Sequence, residues 1–373
     1  MKLYRLFTLA AVALTALVSC NKEELTPQDT SLKSVQISLD NIIMTKGMAG
    51  DKITANDKVK VTDFKIFLTD DTYSPAYSAK NADGSEATFY FNAASDLTEI
   101  KQFHFVDHKC TKVVIVANVG NISFEEVLKL NVPIADQQLQ TGLVLYGEQN
   151  LTATGRVHTQ EGTDKYTEVY EAKVTMKPAI ARFEVDGFVT KFSENPKFNK
   201  ISVQAVAFQN YFPALTANTN GGKLNILGTG TEVKHIVNLD NDSQVYNWLN
   251  GSASNGWFID RFDPVLDMTK DDPVADTPNN LAYHFYAGEA VPQMLVSLLA
   301  DGTPAYIYTS KFYKGTEPLT KLEAGKIYRM SAAGDVETDG SIEIPDDLSP
   351  IQRCVEIKVE VVEWTVDIIT PEF

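Results

Sequence analysis

A chain of 373 residues, 44% of them apolar and 22% charged, is long enough for two domains and can bury a core without disulfide staples. The net charge of −16 repels phosphate backbones, which argues against nucleic acid as a partner. The acidic balance reads as a solvated surface rather than as a cation site.

The first element is not part of a fold. A short basic start (Lys2, Arg5) leads into the apolar run LFTLAAVALTALV, which is too short to span a bilayer comfortably and has the form of a secretory signal. The run ends in Leu17-Val18-Ser19-Cys20. Small residues before a cysteine at this place resemble the lipobox of bacterial lipoproteins. In lipoproteins the chain is cut ahead of that cysteine, and acyl chains on Cys20 hold the product to a membrane. The following Asn21-Lys22-Glu23-Glu24 is similar to a surface-export signal of some Gram-negative lipoproteins. Residues 21–33 are polar, contain Pro27, and read as a tether.

The stretch SVQISLDNIIMTKGMAG (34–50) opens as a strand, with Val35, Ile37 and Leu39 alternating with Ser34, Gln36 and Ser38. It then runs into Lys46 and a Gly-Met-Ala-Gly joint with no regular propensity. Strand signals follow at 58–70, 87–93, 111–120, 141–147 and 170–176, each bounded by Gly, Asn, Asp or Pro. One helix interrupts them: Ser123 and Glu126 have capping-box spacing ahead of Val127-Leu128, and Pro133 ends it. Further strands are expected at 181–188, 200–212, 281–288, 293–300, 304–313 and 325–332. The polar stretch 214–280 reads as a loop-heavy excursion. Many short strands at this spacing predict a mainly β chain of two β-sandwich domains in tandem, divided near residues 178–182.

At the C-terminus Val355, Ile357, Val359 and Val361 alternate with polar residues, and then Trp364, Val366 and Ile368 carry the apolar face in the opposite phase. A one-residue shift flips every side chain. It is met by a bulge near Val361-Val362, the reading favoured here, or by two strands meeting at a bend.

Chemistry is scarce. His104 and His108 in HFVDH have an i, i+4 spacing that suits a metal on a helix, but their neighbours favour a strand or loop. Cys110 and Cys354 fit no redox or catalytic pattern; a disulfide between them is open in an exported protein, but they read better as two separate buried thiols. The acidic stretches 240–243 and 263–276 lack calcium-loop spacing and read as solvated. Tyr246, Trp248, Trp257, Phe258 and Phe262 could stack on sugars, but read better as rings pinning a long loop to the core. No catalytic, cofactor-binding or metal residues are assigned, and an enzyme is the least supported class.

Several of these segments, in order, resemble one family. They are Cys20, the early strand ending at a basic residue, VVIVANVG (113–120) with its capped helix, KPAIARFEV (177–185), and GKIYRM with CVEIKVEVVEW near the end. Together they resemble the type V pilins, the FimA-like major fimbrial subunits derived from lipoproteins. The resemblance covers nearly the whole chain, with 214–280 matching least. It implies two sandwich domains of transthyretin-like or Greek-key type with one or two short helices. It gives a signal peptide over 1–19, a lipidated tether over 20–33, an N-terminal domain over 34–180 and a C-terminal domain over 181–373. It also implies export to the outer membrane and cell surface through lipid on Cys20. A maturation protease then cuts at Lys46-Gly47, where the family has arginine, and removes the first strand, 34–46. Polymerisation follows by strand exchange, with 355–369 (Val355, Ile357, Val359, Val361, Trp364, Val366, Ile368) as donor into another copy or a related pilin. A host or bacterial surface receptor would be the target of adhesion. The alternatives are a tip or anchor subunit of the same pilus, or a surface lipoprotein that binds glycan or another ligand without polymerising.

Overall fold

The structure, a computed structural model, describes residues 31–40, 61–73, 76–92, 99–138, 142–159, 166–220, 223–229, 241–250, 258–330, 342–349 and 354–363. It is mainly β. Residues up to 178 build two sheets. One has the order β4–β1–β8–β7, from β1 (Leu32–Asp40), β4 (Lys101–Asp107), β7 (Thr152–Thr159) and β8 (Tyr166–Thr175). The other runs β3–β2–β5–β6–β9, from β2 (Asp63–Thr69), β3 (Tyr90–Asn92), β5 (Lys112–Ala117), β6 (Leu145–Asn150) and β9 (Lys177–Pro178). The β5 run KVVIVA is buried throughout, as expected of a central strand covered on both faces. At Gly147 the backbone of β6 approaches β8 so closely that an added Cβ would lie 2.4 Å from the Thr175 carbonyl oxygen. Only glycine permits that approach.

Residues from 180 onward build two further large sheets and a separate two-stranded one. One is β15–β10–β19–β22, from β10 (Ile180–Thr190), β15 (Val274–Tyr286), β19 (Lys326–Met330) and β22 (Glu360–Glu363), with β20 (Glu343–Ile344) beside β10. The other is β14–β11–β16–β17–β18, from β11 (Lys200–Gln209), β14 (Phe258–Thr269), β16 (Gln293–Ala300), β17 (Thr303–Lys314) and β18 (Glu317–Pro318), with β21 (Cys354–Lys358) beside β17. Between these sheets Phe183 of β10 meets Phe208 of β11 and Phe312 of β17 at ring-centroid distances of 6.0 and 5.3 Å. These edge-on contacts are a favoured aromatic geometry.

The capping box at Ser123 and Glu126 is formed in both directions, and the helix it starts, α1 (Phe124–Val127), is one turn long. The stretch 214–280 is more regular than its composition suggests. It holds a hairpin of β12 (Ala214–Asn220) and β13 (Lys223–Thr229), helix α2 (Asp242–Asn250), β14 and the start of β15. Strand β14 has β11 as its one neighbour among the described strands and exposes much of its length, so it reads as polar. The aromatic residues there anchor the excursion. Phe258 stacks on Tyr211 at 4.7 Å, Phe262 packs edge-on against Phe188, and the Tyr246 hydroxyl donates to the Pro304 carbonyl. Trp257 and the Trp248 side chain lie outside the described residues. The acids are used in place: Asp242 accepts from the Tyr306 hydroxyl, and Asp267 from Ser202.

Both described cysteines are free. Cys110 is buried, but Cys354 is exposed, which corrects the expectation of two buried thiols. Its strand lies at a sheet margin and turns the sulfur outward.

Candidate functional site

The first described strand of the chain lies in the interior of a sheet. β1 runs parallel to β8 over eight residue pairs, Lys33↔Glu168 to Asp40↔Thr175, and antiparallel to β4 on its other side. It begins at Leu32, inside the stretch read as tether, because Lys33 and Ser34 are also buried. Val35 and Ile37 are 0% and 1% exposed, and Leu39 packs against the core from a partly buried position. Each such side chain contributes about 1.5–3 kcal/mol when fully buried.

The N-terminal end of this seat is polar. The Lys33 ammonium donates to the Cys110 carbonyl and lies 4.3 Å from the centre of the Tyr170 ring. Burial lowers the Lys33 amine from its usual range, and the charges of Cys110, Asp107 and Glu168 oppose that shift. Ser34 Oγ lies 3.0 Å from His104 Nδ1 on β4 and 2.8 Å from Thr167 Oγ1 on β8. The His104 ring stacks on His158 of β7 at 4.1 Å, so all four strands of the sheet contribute to one polar clasp. β4 is bulged at this place: Lys33 pairs with Val106 but Val35 with Phe103. Phe105 takes φ +56°, a left-handed conformation that is rare for a bulky residue. The bulge aims His104 at Ser34. Backbone bonds of 2.8 Å in both directions between His104 and Lys80 fix it from outside. His108 caps the seat, its backbone N–H donating to the Ser31 carbonyl at 3.0 Å. The two histidines singled out by their spacing therefore both serve the first strand.

Burial, and then the nearby His158 charge, push His104 below the usual imidazole value of 6.5. A group whose protonation is disfavoured in the fold contributes stability above its unfolded pKa, and this is lost as pH falls below that value. The full-length chain is expected to lose stability below about pH 6.5, with His104→Gln flattening that part of the profile. Denaturant midpoints measured across pH check this. Identical slopes in parent and variant would contradict it.

The C-terminal residues lie in the second pair of sheets. Val355 and Ile357 are in β21, parallel to β17, and Val361 is in β22, antiparallel to β19. Val359 is the link between the two strands and is fully buried. The chain thus crosses from one sheet to the other at Val359. β22 pairs with β19 without a bulge at Val361-Val362, and the residues that carry the opposite phase, Trp364, Val366 and Ile368, lie outside the described residues. Val359 N–H donates to the Tyr313 carbonyl at 2.8 Å, the Tyr313 hydroxyl donates to Glu356 at 3.1 Å, and Arg329 donates to Glu360 at 3.4 Å. Arg329 also bonds Glu184, which is buried beside Arg182. Among the described strands β21 has one neighbour and β22 has one, whereas β1 has two. Cys20, Lys46, Gly47, Trp364, Val366 and Ile368 lie outside the described residues.

No family model matches the chain. No curated protein matches it either. Among solved structures it is similar to a fimbrilin (FimA) from Porphyromonas gingivalis W83, at 9% identity and TM-score 0.48, over 90% of this chain and 99% of that one. It is also similar to the tip fimbrial protein Mfa3 of Porphyromonas gingivalis, at 10% identity and TM-score 0.42, over 89% and 100%. A third is a fimbrial assembly protein from Parabacteroides distasonis, at 14% identity and TM-score 0.33, over 82% and 92%.

Proposed function

We propose that this chain is a structural subunit of a cell-surface fimbria that serves adhesion. It is exported as a lipoprotein through Cys20, cut by a protease after Lys46, and polymerised when β1 is replaced by a strand from another copy. The observation that carries this reading is the position of β1. It is the first described strand of the chain, yet it lies between β4 and β8 with a neighbour on each side. A chain cut between residues 41 and 60 holds β1 by non-covalent contacts alone. Once β1 leaves, two strand edges face each other across a gap one strand wide, lined by an apolar floor. Such edges recruit another strand.

The C-terminal segment supplies that strand. Where it now lies, each of its two strands has one neighbour among the described strands, so moving into the seat of β1 exchanges one ladder for two. Net ladder bonds are worth about 0.5–1.5 kcal/mol each. Their gain offsets the withdrawal of Ile357 and Val359 from the second pair of sheets, because the seat buries equivalent side chains.

Deletion of 355–373 is expected to abolish SDS-resistant multimers. The deletion also removes Ile357 and Val359 from their own core, so Val355→Asp, at a partly buried position of β21 in the same donor segment, is tested beside it and separates misfolding from loss of the donor. Ladders that persist in the deletion overturn the reading.

A further inference from the structure

The order of side chains in β1 recurs near the C-terminus. Lys33-Ser34-Val35-Gln36-Ile37-Ser38-Leu39 aligns without a gap on Arg353-Cys354-Val355-Glu356-Ile357-Lys358-Val359. Each run is a base, a small side chain, a valine, a polar residue and an isoleucine, followed by a polar and an apolar residue. Each strand also has a parallel neighbour. β1 runs parallel to β8, and β21 runs parallel to β17. Ile37 and Ile357 are each 1% exposed.

The seat of β1 makes this order matter. Its floor accepts any alternating apolar strand, but its polar end does not. With β1 gone, the Cys110 carbonyl, the Tyr170 ring face and the acids that act on Lys33 (Asp107 and Glu168) face an empty position. His104 and Thr167 flank a second position with room for a small side chain. A strand without a base at the first position leaves the buried Cys110 carbonyl without the donor that Lys33 supplies. A bulky residue at the second collides with the clasp.

We propose that the seat selects its occupant by this base-plus-small pair, and that the occupant is residues 353–359 of a second copy, in the register of the alignment. Arg353 takes the place of Lys33, over the Tyr170 ring and against the Cys110 carbonyl. Cys354 takes the place of Ser34, between His104 and Thr167, and Val355 and Ile357 take those of Val35 and Ile37. The proposal rests on the reading of β1 as a replaceable strand and adds the register and the residues that set it. A second frame, Trp364-Thr365-Val366-Asp367-Ile368, repeats the small-Val-polar-Ile order but puts tryptophan where the seat asks for a base.

The register places the exposed Cys354 thiol of one copy beside Thr167 of the next. Multimers of the processed T167C variant, mildly oxidised, are expected to become covalent and reducible, with a disulfide-linked peptide pair in the mass spectrum that joins the substituted position to Cys354. H104C, on the other flank of the same position, is expected to do the same. In addition, Arg353→Glu slows multimer formation tenfold or more while Arg353→Lys restores it. Non-covalent multimers that give no bridge in either cysteine variant overturn the register. So does bridging by T167C only when Thr365 is also replaced by cysteine, which establishes the second frame instead. If the unmodified processed chain forms no multimers, strand exchange itself fails, and that result is distinct from either of the others.

Discussion

Ile37→Ala is expected to destabilise the full-length chain by about 3 kcal/mol and to leave the multimer unchanged. The first half follows from burial. Ile37 is 1% exposed in the interior strand of its sheet, and truncating a buried isoleucine costs about 2–5 kcal/mol through lost transfer energy and a residual cavity. The second half follows from the proposed exchange. If β1 has left the multimer, a cavity in β1 cannot weaken it. Ile357→Ala is the counterpart. Its side chain is buried in β21 of the isolated chain and would be buried again in the seat of a neighbour, so that substitution weakens both forms. Denaturant midpoints of monomer and multimer, measured for both variants, give the two-by-two comparison. An equal loss for Ile37→Ala in both forms would show that β1 never leaves.

Lys46→Ala is expected to block assembly. β1 ends at Asp40 and β2 begins at Asp63, so a cut after Lys46 severs the covalent link between the strand and the sheet it packs in. Uncut, β1 is returned to its seat by its own tether faster than a strand from another molecule can arrive, because the linked strand is present at a high effective concentration. The variant should accumulate as full-length monomer with no SDS-resistant ladder. Lys46→Arg keeps a basic side chain and tests which base the protease reads. Multimers of Lys46→Ala in wild-type amounts would place the processing elsewhere.

Much of the architecture was legible in the sequence because its strands are either buried on both faces, as in KVVIVA of β5, or alternate cleanly, as in β1. β14 escaped because a strand with one partner keeps solvent on its other edge, and its Asp and Pro residues look like loop. The bend at Val359 was open in the sequence. Alternating valines read the same within one strand or across a change of sheet, and only the partners, β17 and β19, show that the chain changes sheets there. The clasp around Ser34 was the least legible part. Lys33 looked like tether because a charged side chain is rarely buried, and nothing local announces the Cys110 carbonyl that receives it 77 residues away. HFVDH drew notice for the spacing of its histidines. A bulge at Phe105, which spacing alone does not reveal, gave His104 a different partner.

The central claim is that β1 is temporary, and the N-terminus of the assembled protein tests it most directly. Multimers isolated from the cell surface, dissociated and subjected to N-terminal sequencing and intact-mass measurement, should begin at Gly47 and contain no residue of Leu32–Asp40. Multimers whose chains begin at lipid-modified Cys20, with the first strand still attached, would contradict the account.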